Sequence, residues 1–167
     1  MRPLHTGQPF LLSPCEKLKE TKTYDVDYKA QMKAVRDASE KSAELMADIH
    51  FGKANEINLS LGTLGKQGQF DRVYKNADGS FSVVECKGGA SPLGARQGYE
   101  QCTKAYIESI IANLRASNKL TTKQLDDLDE LNNAINMTPP KVKNYSLRQK
   151  FNDDGSLGDS VLTEYSL

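Results

Sequence analysis

The chain has 167 residues, of which 38% are hydrophobic and 26% are charged, a composition typical of one soluble globular domain with its own hydrophobic core. The 22 basic and 22 acidic residues give a formal net charge of zero, which argues against a large basic nucleic-acid-binding surface but leaves room for a local basic groove. No apolar run approaches the roughly 20 residues that span a bilayer. Three cysteines without C-x-x-C spacing argue against a disulfide framework or a structural zinc site.

The first 24 residues carry no hydrophobic periodicity, and residues 1–12 lack the apolar stretch of a secretory signal. This segment contains three prolines, Pro3, Pro9 and Pro14, which disfavour regular helix or strand. We therefore predict an N-terminal arm or linker over residues 1–24 and a folded domain over residues 25–167.

Helical periodicity begins near Asp27 and continues to Phe51, with Gly52 as the predicted stop. Apolar and small residues recur there at three- and four-residue spacing, which predicts an amphipathic helix with one buried face. The predicted buried face consists of Met32, Val35, Ala38, Ser42, Leu45, Met46 and Ile49.

Three strand candidates follow this helix. Apolar and polar residues alternate over residues 56–61, as in a half-buried strand, and several glycines then mark a loop. Residues 70–75 and 80–87 predict two further strands, joined through Asp78-Gly79, a dipeptide typical of hairpin turns. Because such a hairpin is symmetric about residue 78, we expect Asp71 to lie opposite residue 85.

Two helices and two strands complete the predicted order. Helical patterns cover residues 92–116 and 121–136, and the second pattern ends before Pro139-Pro140. Strand patterns cover residues 142–151 and 160–167. This order indicates an α/β (α+β) fold with a central mixed β-sheet flanked by helices. The apolar stripes of the two helices are Tyr99, Cys102, Tyr106, Ile110 and Leu114, and Leu125, Leu128, Leu131 and Ile135.

Chemistry is most strongly indicated at Asp71, Glu85 and Lys87. Side chains alternate along a strand, so Glu85 and Lys87 share one face while Cys86 points to the other. Two carboxylates brought together by the hairpin can share a divalent cation, most simply Mg²⁺, with Mn²⁺ or Zn²⁺ as alternatives. A cation beside a lysine is a minimal apparatus for phosphodiester hydrolysis. The alternative is a surface hairpin with an ion-paired Glu85 and Lys87.

These residues resemble the motif of the PD-(D/E)xK nuclease superfamily, which is an Asp, a variable gap and then Glu/Asp-x-Lys. Asp71, Glu85 and Lys87 match its three positions, and Phe70 replaces the proline that sometimes precedes the first acid. The resemblance implies a restriction-endonuclease-like core in αβββαβ order and metal-dependent cleavage of nucleic acid.

Residues 44–114 are also similar to the C-terminal nuclease domains of bacterial polymorphic toxins, including contact-dependent growth inhibition toxins. Two elements carry this similarity, one around Glu44 in the first helix and one running from Gln101 to Tyr106. The resemblance implies that Glu44 completes the metal site and that Gln101 contacts phosphate or the attacking water. Helical projection instead places Glu44 nearly opposite the apolar stripe, so a solvated side chain is the alternative. Other candidates for the first-helix carboxylate and for backbone contacts are Glu40, Glu56, Arg96, Gln97 and Lys104.

The expected function is therefore that of a metal-dependent endonuclease toxin, with DNA favoured as the substrate. By the same resemblance, a secreted or cell-surface bacterial protein delivers the domain into the cytoplasm of a target cell, and a cognate immunity protein neutralises it. The alternatives are a toxin that cleaves tRNA or other RNA, a catalytically inactive nuclease-like binding module, and a housekeeping nuclease.

Overall fold

The structure is a computed structural model that describes residues 24–61, 68–89, 92–96, 98–152, 154 and 156–167. The predicted arm lies outside the described residues except for its last position, as does most of the predicted glycine loop. The chain divides into two compact units, Met1–Asp37 and Ala38–Leu167. The expected domain boundary at residue 24 stays a prediction.

The first helix, α1, spans Tyr24–Phe51 and ends at Gly52, whose φ is 82°. In the first unit, Lys33 and Asp37 form an exposed ion pair of 2.5 Å one turn apart, the spacing at which such pairs support a helix. The helix then continues into the second unit, which contains all of the sites discussed below.

The face of α1 that is buried in the second unit differs from the predicted one. Leu45 is 59% exposed and Ile49 is 67% exposed, whereas Ala43 and Ala47 are fully buried, so the predicted apolar stripe is wrong. The reason is the closeness of the strand below the helix. A Cβ atom on Gly88 would lie 2.0 Å from the Cβ of Ser39, so only small side chains fit between the two elements.

The main sheet consists of β1 (Arg72–Lys75), β2 (Phe81–Gly88), β5 (Val142–Phe151) and β6 (Leu157–Tyr165). These strands form a mixed sheet in the order β1-β2-β5-β6, which confirms the predicted mixed sheet. The β1–β2 and β5–β6 pairs are antiparallel, whereas β2 and β5 are parallel. A parallel pair requires a long crossover connection, and two helices lie in that connection.

The first strand candidate, residues 56–61, forms only one β-bridge, between Glu56 and Tyr74. The predicted alternation is present, because Ile57 and Leu59 are buried while Asn58 and Ser60 are exposed. The segment is extended but is not a strand, so the described part of the chain does not show the three consecutive strands of an αβββαβ core.

The predicted helix over residues 92–116 is shorter in the structure. Residues 95–96 and 99–100 form a small antiparallel ladder, β3 (Ala95–Arg96) and β4 (Tyr99–Glu100). Helix α2 (Lys104–Ala116) begins only after Thr103, whose side chain accepts a hydrogen bond from the Tyr106 amide. This N-cap fixes the start of the helix.

The last helix, α3 (Thr122–Ile135), confirms the predicted one, and a capping box formed by Thr121 and Gln124 closes its first turn. Helices α2 and α3 pack on one face of the sheet through a cluster that includes Ile107, Ile110 and Leu131. The second-unit part of α1 packs on the other face. None of the described helices has the length and apolar character needed to cross a membrane.

Candidate active site

The β1–β2 hairpin brings Asp71 to Glu85. Arg72 pairs with Val84 across the two strands, so the predicted symmetry about residue 78 is confirmed. One step outwards, Asp71 Oδ2 accepts a hydrogen bond of 2.8 Å from the backbone N–H of Cys86. The first acid is therefore fixed against the strand that carries the second one.

Glu85 and Lys87 form a shielded ion pair on β2. The Lys87 ammonium donates to Glu85 Oε1 over 2.8 Å, and the two side chains are only 9% and 12% exposed. Removing both charges from water costs several kcal/mol in desolvation, which mutual attraction only partly returns. This burial argues against the alternative of an exposed surface ion pair.

Gln101 joins the same group from the turn before α2. Its Nε2 donates to Glu85 Oε1, and its Oε1 accepts from the Gly94 N–H at 3.0 Å. Gln101 was predicted as a helical residue, but the left-handed backbone of Cys102, with φ of 61°, separates it from the helix and turns it towards the sheet.

Asp71 and Glu85 line one small cavity of about 10 Å³. Most of its other walls are apolar, and they come from Phe70 before β1, from β2 and from α2 with the turn that precedes it. Burial, reinforced by the charge of Glu85, raises the pKa of Tyr106 to about 12 and that of Cys102 to about 12. At neutral pH the phenol and the thiol therefore stay protonated.

Glu44, predicted as the third metal ligand, is paired with a different residue. Its Oε2 lies 3.0 Å from an Nη atom of Arg72, a side chain that shares its sheet face with Val84 and Cys86. The structure therefore does not bring Glu44 together with Asp71 and Glu85. The physical reason is that Asp71 and Arg72 are consecutive residues, whose side chains point to opposite faces of the sheet.

Arg72 is the centre of a second polar cluster that the sequence did not predict. Its Nε lies 3.1 Å from Asp48 and 3.3 Å from Glu56, and Asp48 also accepts a 2.7 Å hydrogen bond from the Tyr74 hydroxyl. Burial raises the pKa of Asp48, but hydrogen bonds from Tyr74, Lys53 and Arg72 outweigh it and hold that pKa below its ordinary value. Arg72 and Lys53 are the cations of this cluster, against the carboxylates of Glu44, Asp48 and Glu56. These ion pairs stabilise the contact between α1 and β1.

The donor set of the cavity fits a hard divalent cation. Asp71 and Glu85 supply carboxylate oxygens, and Mg²⁺ is commonly held by one or two carboxylates together with phosphate oxygens of the substrate. Both described hydrogen bonds to the Glu85 carboxylate go to Oε1, which leaves Oε2 for a ligand. Among the residues that the structure describes, no group of three or more His, Cys, Asp or Glu is arranged to hold a metal. The fit to a divalent cation therefore depends on two carboxylates, those of Asp71 and Glu85.

None of the remaining candidates that the structure describes lines the cavity. Glu40 is exposed on α1, Glu56 is paired with Arg72, and Arg96 is exposed on β3. Lys104 lies 3.7 Å from Glu108 on the surface of α2, and Gln97 lies outside the described residues.

Two residues on β5 were missed by the sequence reasoning. Asn144 lines the cavity, and Arg148 pairs with Lys87 in the parallel register, its guanidinium donating to the Gly89 carbonyl at 3.5 Å. Both positions are set by the pairing of β2 with β5, strands far apart in sequence, for which the sequence carries no local signal.

Comparison of the chain with protein-family models, with curated proteins and with solved structures finds no match in any of the three.

Proposed function

We propose that the chain is a metal-dependent nuclease that hydrolyses phosphodiester bonds in nucleic acid. The observation that carries this proposal is the pair of carboxylates, Asp71 and Glu85, lining one cavity with the Lys87 ammonium 2.8 Å from Glu85. Shielded acids beside a shielded base are costly to keep in a fold, and such groupings concentrate at functional sites.

Asp71 and Glu85 would hold the divalent cation, which when bound polarises the scissile phosphate and favours deprotonation of the attacking water. Lys87 offers a fixed positive charge to the phosphate oxygens, where negative charge grows in the transition state. In the reaction, the water oxygen bonds to phosphorus, and the bond from phosphorus to the leaving sugar oxygen breaks. The water loses a proton and the leaving oxygen gains one.

Gln101 has a supporting role in this proposal. Its amide bridges Glu85 Oε1 and the Gly94 N–H, so it fixes the orientation of the Glu85 carboxylate. A carboxylate held in this way keeps its second oxygen directed at a ligand without losing rotamer entropy when the ligand binds. Loss of Gln101 should therefore weaken metal binding more than it weakens the fold.

By the resemblance to toxin domains, we propose that the nuclease acts on DNA in a competing bacterium and that an immunity protein blocks it. Induced expression in a bacterium without that partner should stop growth. Expression of the Glu85→Gln form should not, because it lacks one of the two metal-binding carboxylates. Equal toxicity of both forms would contradict this role.

The test is cleavage of supercoiled plasmid DNA and of bulk tRNA by the purified chain. Each substrate is incubated with Mg²⁺, Mn²⁺ or Zn²⁺, and with chelator. Glu85→Gln and Lys87→Met are compared with Asp127→Asn and Lys123→Met. The latter two residues form a matched ion pair of 2.6 Å on α3, outside the cavity.

We expect metal-dependent cutting that both cavity variants lose by at least about 100-fold and that both control variants retain. The preferred substrate then identifies the target as DNA or RNA. Cutting that survives Glu85→Gln would overturn the proposed site. Absence of cutting by the folded, metal-loaded wild type would instead favour a binding module with a nuclease-like site.

A further inference from the structure

Asn144 is a buried polar residue without a protein partner for its amide. The side chain is 2% exposed, and its Nδ2 donates no hydrogen bond within the part of the chain that the structure describes. A buried donor without a partner lowers the stability of the folded protein, because its desolvation is not offset by a hydrogen bond. Native proteins rarely retain such a group unless it has another role.

A second buried amide on the same strand shows what a purely structural role looks like. Gln149 is 1% exposed, and its Nε2 donates to the carbonyls of Lys150 at 2.9 Å and Gly158 at 2.8 Å. Its Oε1 accepts from the Ser160 hydroxyl at 3.1 Å. The fold therefore satisfies one buried amide of β5 completely, but not the amide of Asn144.

The place of Asn144 explains the difference. It pairs with Val83 in the parallel register, so its side chain lies on the sheet face that carries Glu85. Together with Asp71 and Glu85 it lines the cavity of about 10 Å³, which is close to the smallest space that holds one water molecule. The Asn144 amide thus shares a small space with two carboxylates, and the side chains of Cys102 and Tyr106 also line it.

We propose that Asn144 is a further catalytic residue, whose Nδ2–H donates to the oxygen of the attacking water in this cavity. This inference rests on the proposed nuclease function. A water there accepts one bond from Asn144, which gives that buried donor a partner, and it donates to the carboxylates that line the same cavity. Because an oxygen that is losing a proton accepts hydrogen bonds more strongly than neutral water, the donor assists the attack as well as the placement.

The first measurement compares stability and does not require that the protein cleave a substrate. We expect chemical denaturation to give Asn144→Leu a free energy of unfolding close to that of the wild type, because the substitution breaks no hydrogen bond from this amide to a described protein group. Gln149→Leu, which breaks three satisfied hydrogen bonds, should be clearly less stable. Destabilisation of Asn144→Leu to the extent seen in Gln149→Leu would make Asn144 a structural residue and overturn the inference.

The second measurement follows cleavage on the substrate that the wild type prefers. Asn144→Leu and Asn144→Ala should lower kcat by about 10- to 100-fold and move the rising limb of the pH–rate profile upwards by about one pH unit. Surviving activity in Asn144→Asp, which replaces the N–H donor by oxygen, would overturn the inference, as would an unchanged pH profile in Asn144→Leu. A wild type that cuts nothing refutes the proposed function, whereas the stability comparison tests Asn144 in either case.

Discussion

Asp71 and Arg72 are neighbours in sequence whose side chains lie on opposite faces of the sheet. Asp71 lines the cavity with Glu85, whereas Arg72 contacts Glu44 at 3.0 Å and Asp48 at 3.1 Å on the α1 side. One dipeptide at the start of β1 therefore contributes to two polar clusters that the sheet separates. The first cluster is the proposed reaction site, and the second joins a helix to the sheet edge.

This separation predicts opposite effects for two carboxylate substitutions. Asp71→Asn should weaken binding of Mn²⁺ by at least about tenfold and abolish cleavage, because it removes a proposed metal ligand. Glu44→Gln should leave Mn²⁺ affinity and the cleavage rate within about twofold of the wild-type values. It should lower the free energy of unfolding by about 1–3 kcal/mol, because it removes a shielded charged partner of Arg72. Isothermal titration with Mn²⁺ and chemical denaturation of the two variants measure these effects.

A loss of Mn²⁺ binding in Glu44→Gln equal to that in Asp71→Asn would contradict the separation of the two clusters. It would instead support the expectation drawn from the toxin resemblance, in which Glu44 completes the metal site.

The second cluster also predicts a pH dependence of stability. The pKa of Asp48 is held below its ordinary value of 3.8, as bonds from Tyr74, Lys53 and Arg72 outweigh burial. A carboxyl group whose folded pKa is lowered stabilises the fold above its unfolded pKa, and this contribution is lost as pH falls through the folded pKa. The stability difference between wild type and Asp48→Asn should be constant at neutral pH and shrink below pH 3.8.

Urea denaturation of both proteins between neutral pH and pH 3 measures that difference. Asp78→Asn provides a comparison, because hydrogen bonds from Ser80 also lower the pKa of this exposed carboxyl group in the β1–β2 turn, so its stability difference from the wild type should shrink in the same direction. A difference between wild type and Asp48→Asn that grows towards low pH would refute the assignment.

The contact between α1 and β2 predicts a severe effect for one small substitution. Gly88→Ala places a Cβ atom 2.0 Å from the Cβ of Ser39 and 2.6 Å from its backbone carbonyl carbon, and backbone atoms cannot give way. We expect a loss of about 3 kcal/mol or more in unfolding free energy, from overpacking. Gly94→Ala, whose Cβ would meet nothing within 4 Å, should be close to neutral. Equal stability of the two variants would show that the helix does not approach the strand so closely.

The two buried thiols should be unreactive in the folded protein. Burial raises the pKa of Cys86 well above its ordinary value and that of Cys102 from 9.0 to about 12, which lowers the thiolate fraction of Cys102 at pH 8 by about a thousandfold. In a Cys15→Ser background, an alkylating reagent should label neither thiol under native conditions and both in denaturant. Rapid native labelling of Cys102 would mean that the cavity opens readily to solvent.

The parts of the fold that the sequence determines are local ones. The register of the β1–β2 hairpin follows from strand alternation and the Asp78-Gly79 turn, so the opposition of Asp71 and Glu85 was predictable. Helix α3 was predictable for the same reason, since the Thr121 cap and its apolar spacing lie within one segment. The shared face of Glu85 and Lys87 needs only the two-residue period of a strand.

Tertiary structure decides the rest. Which face of α1 is buried depends on how closely Gly88 allows the helix to approach, and Ser39, Ala43 and Ala47 form a weaker hydrophobic pattern than the stripe that is exposed. The place of Asn144 beside Glu85 depends on the parallel pairing of β2 with β5, which no local pattern encodes. Pairings between distant segments are selected by the packing energy of the whole sheet and its helices, so their consequences for the site are read only from the folded chain.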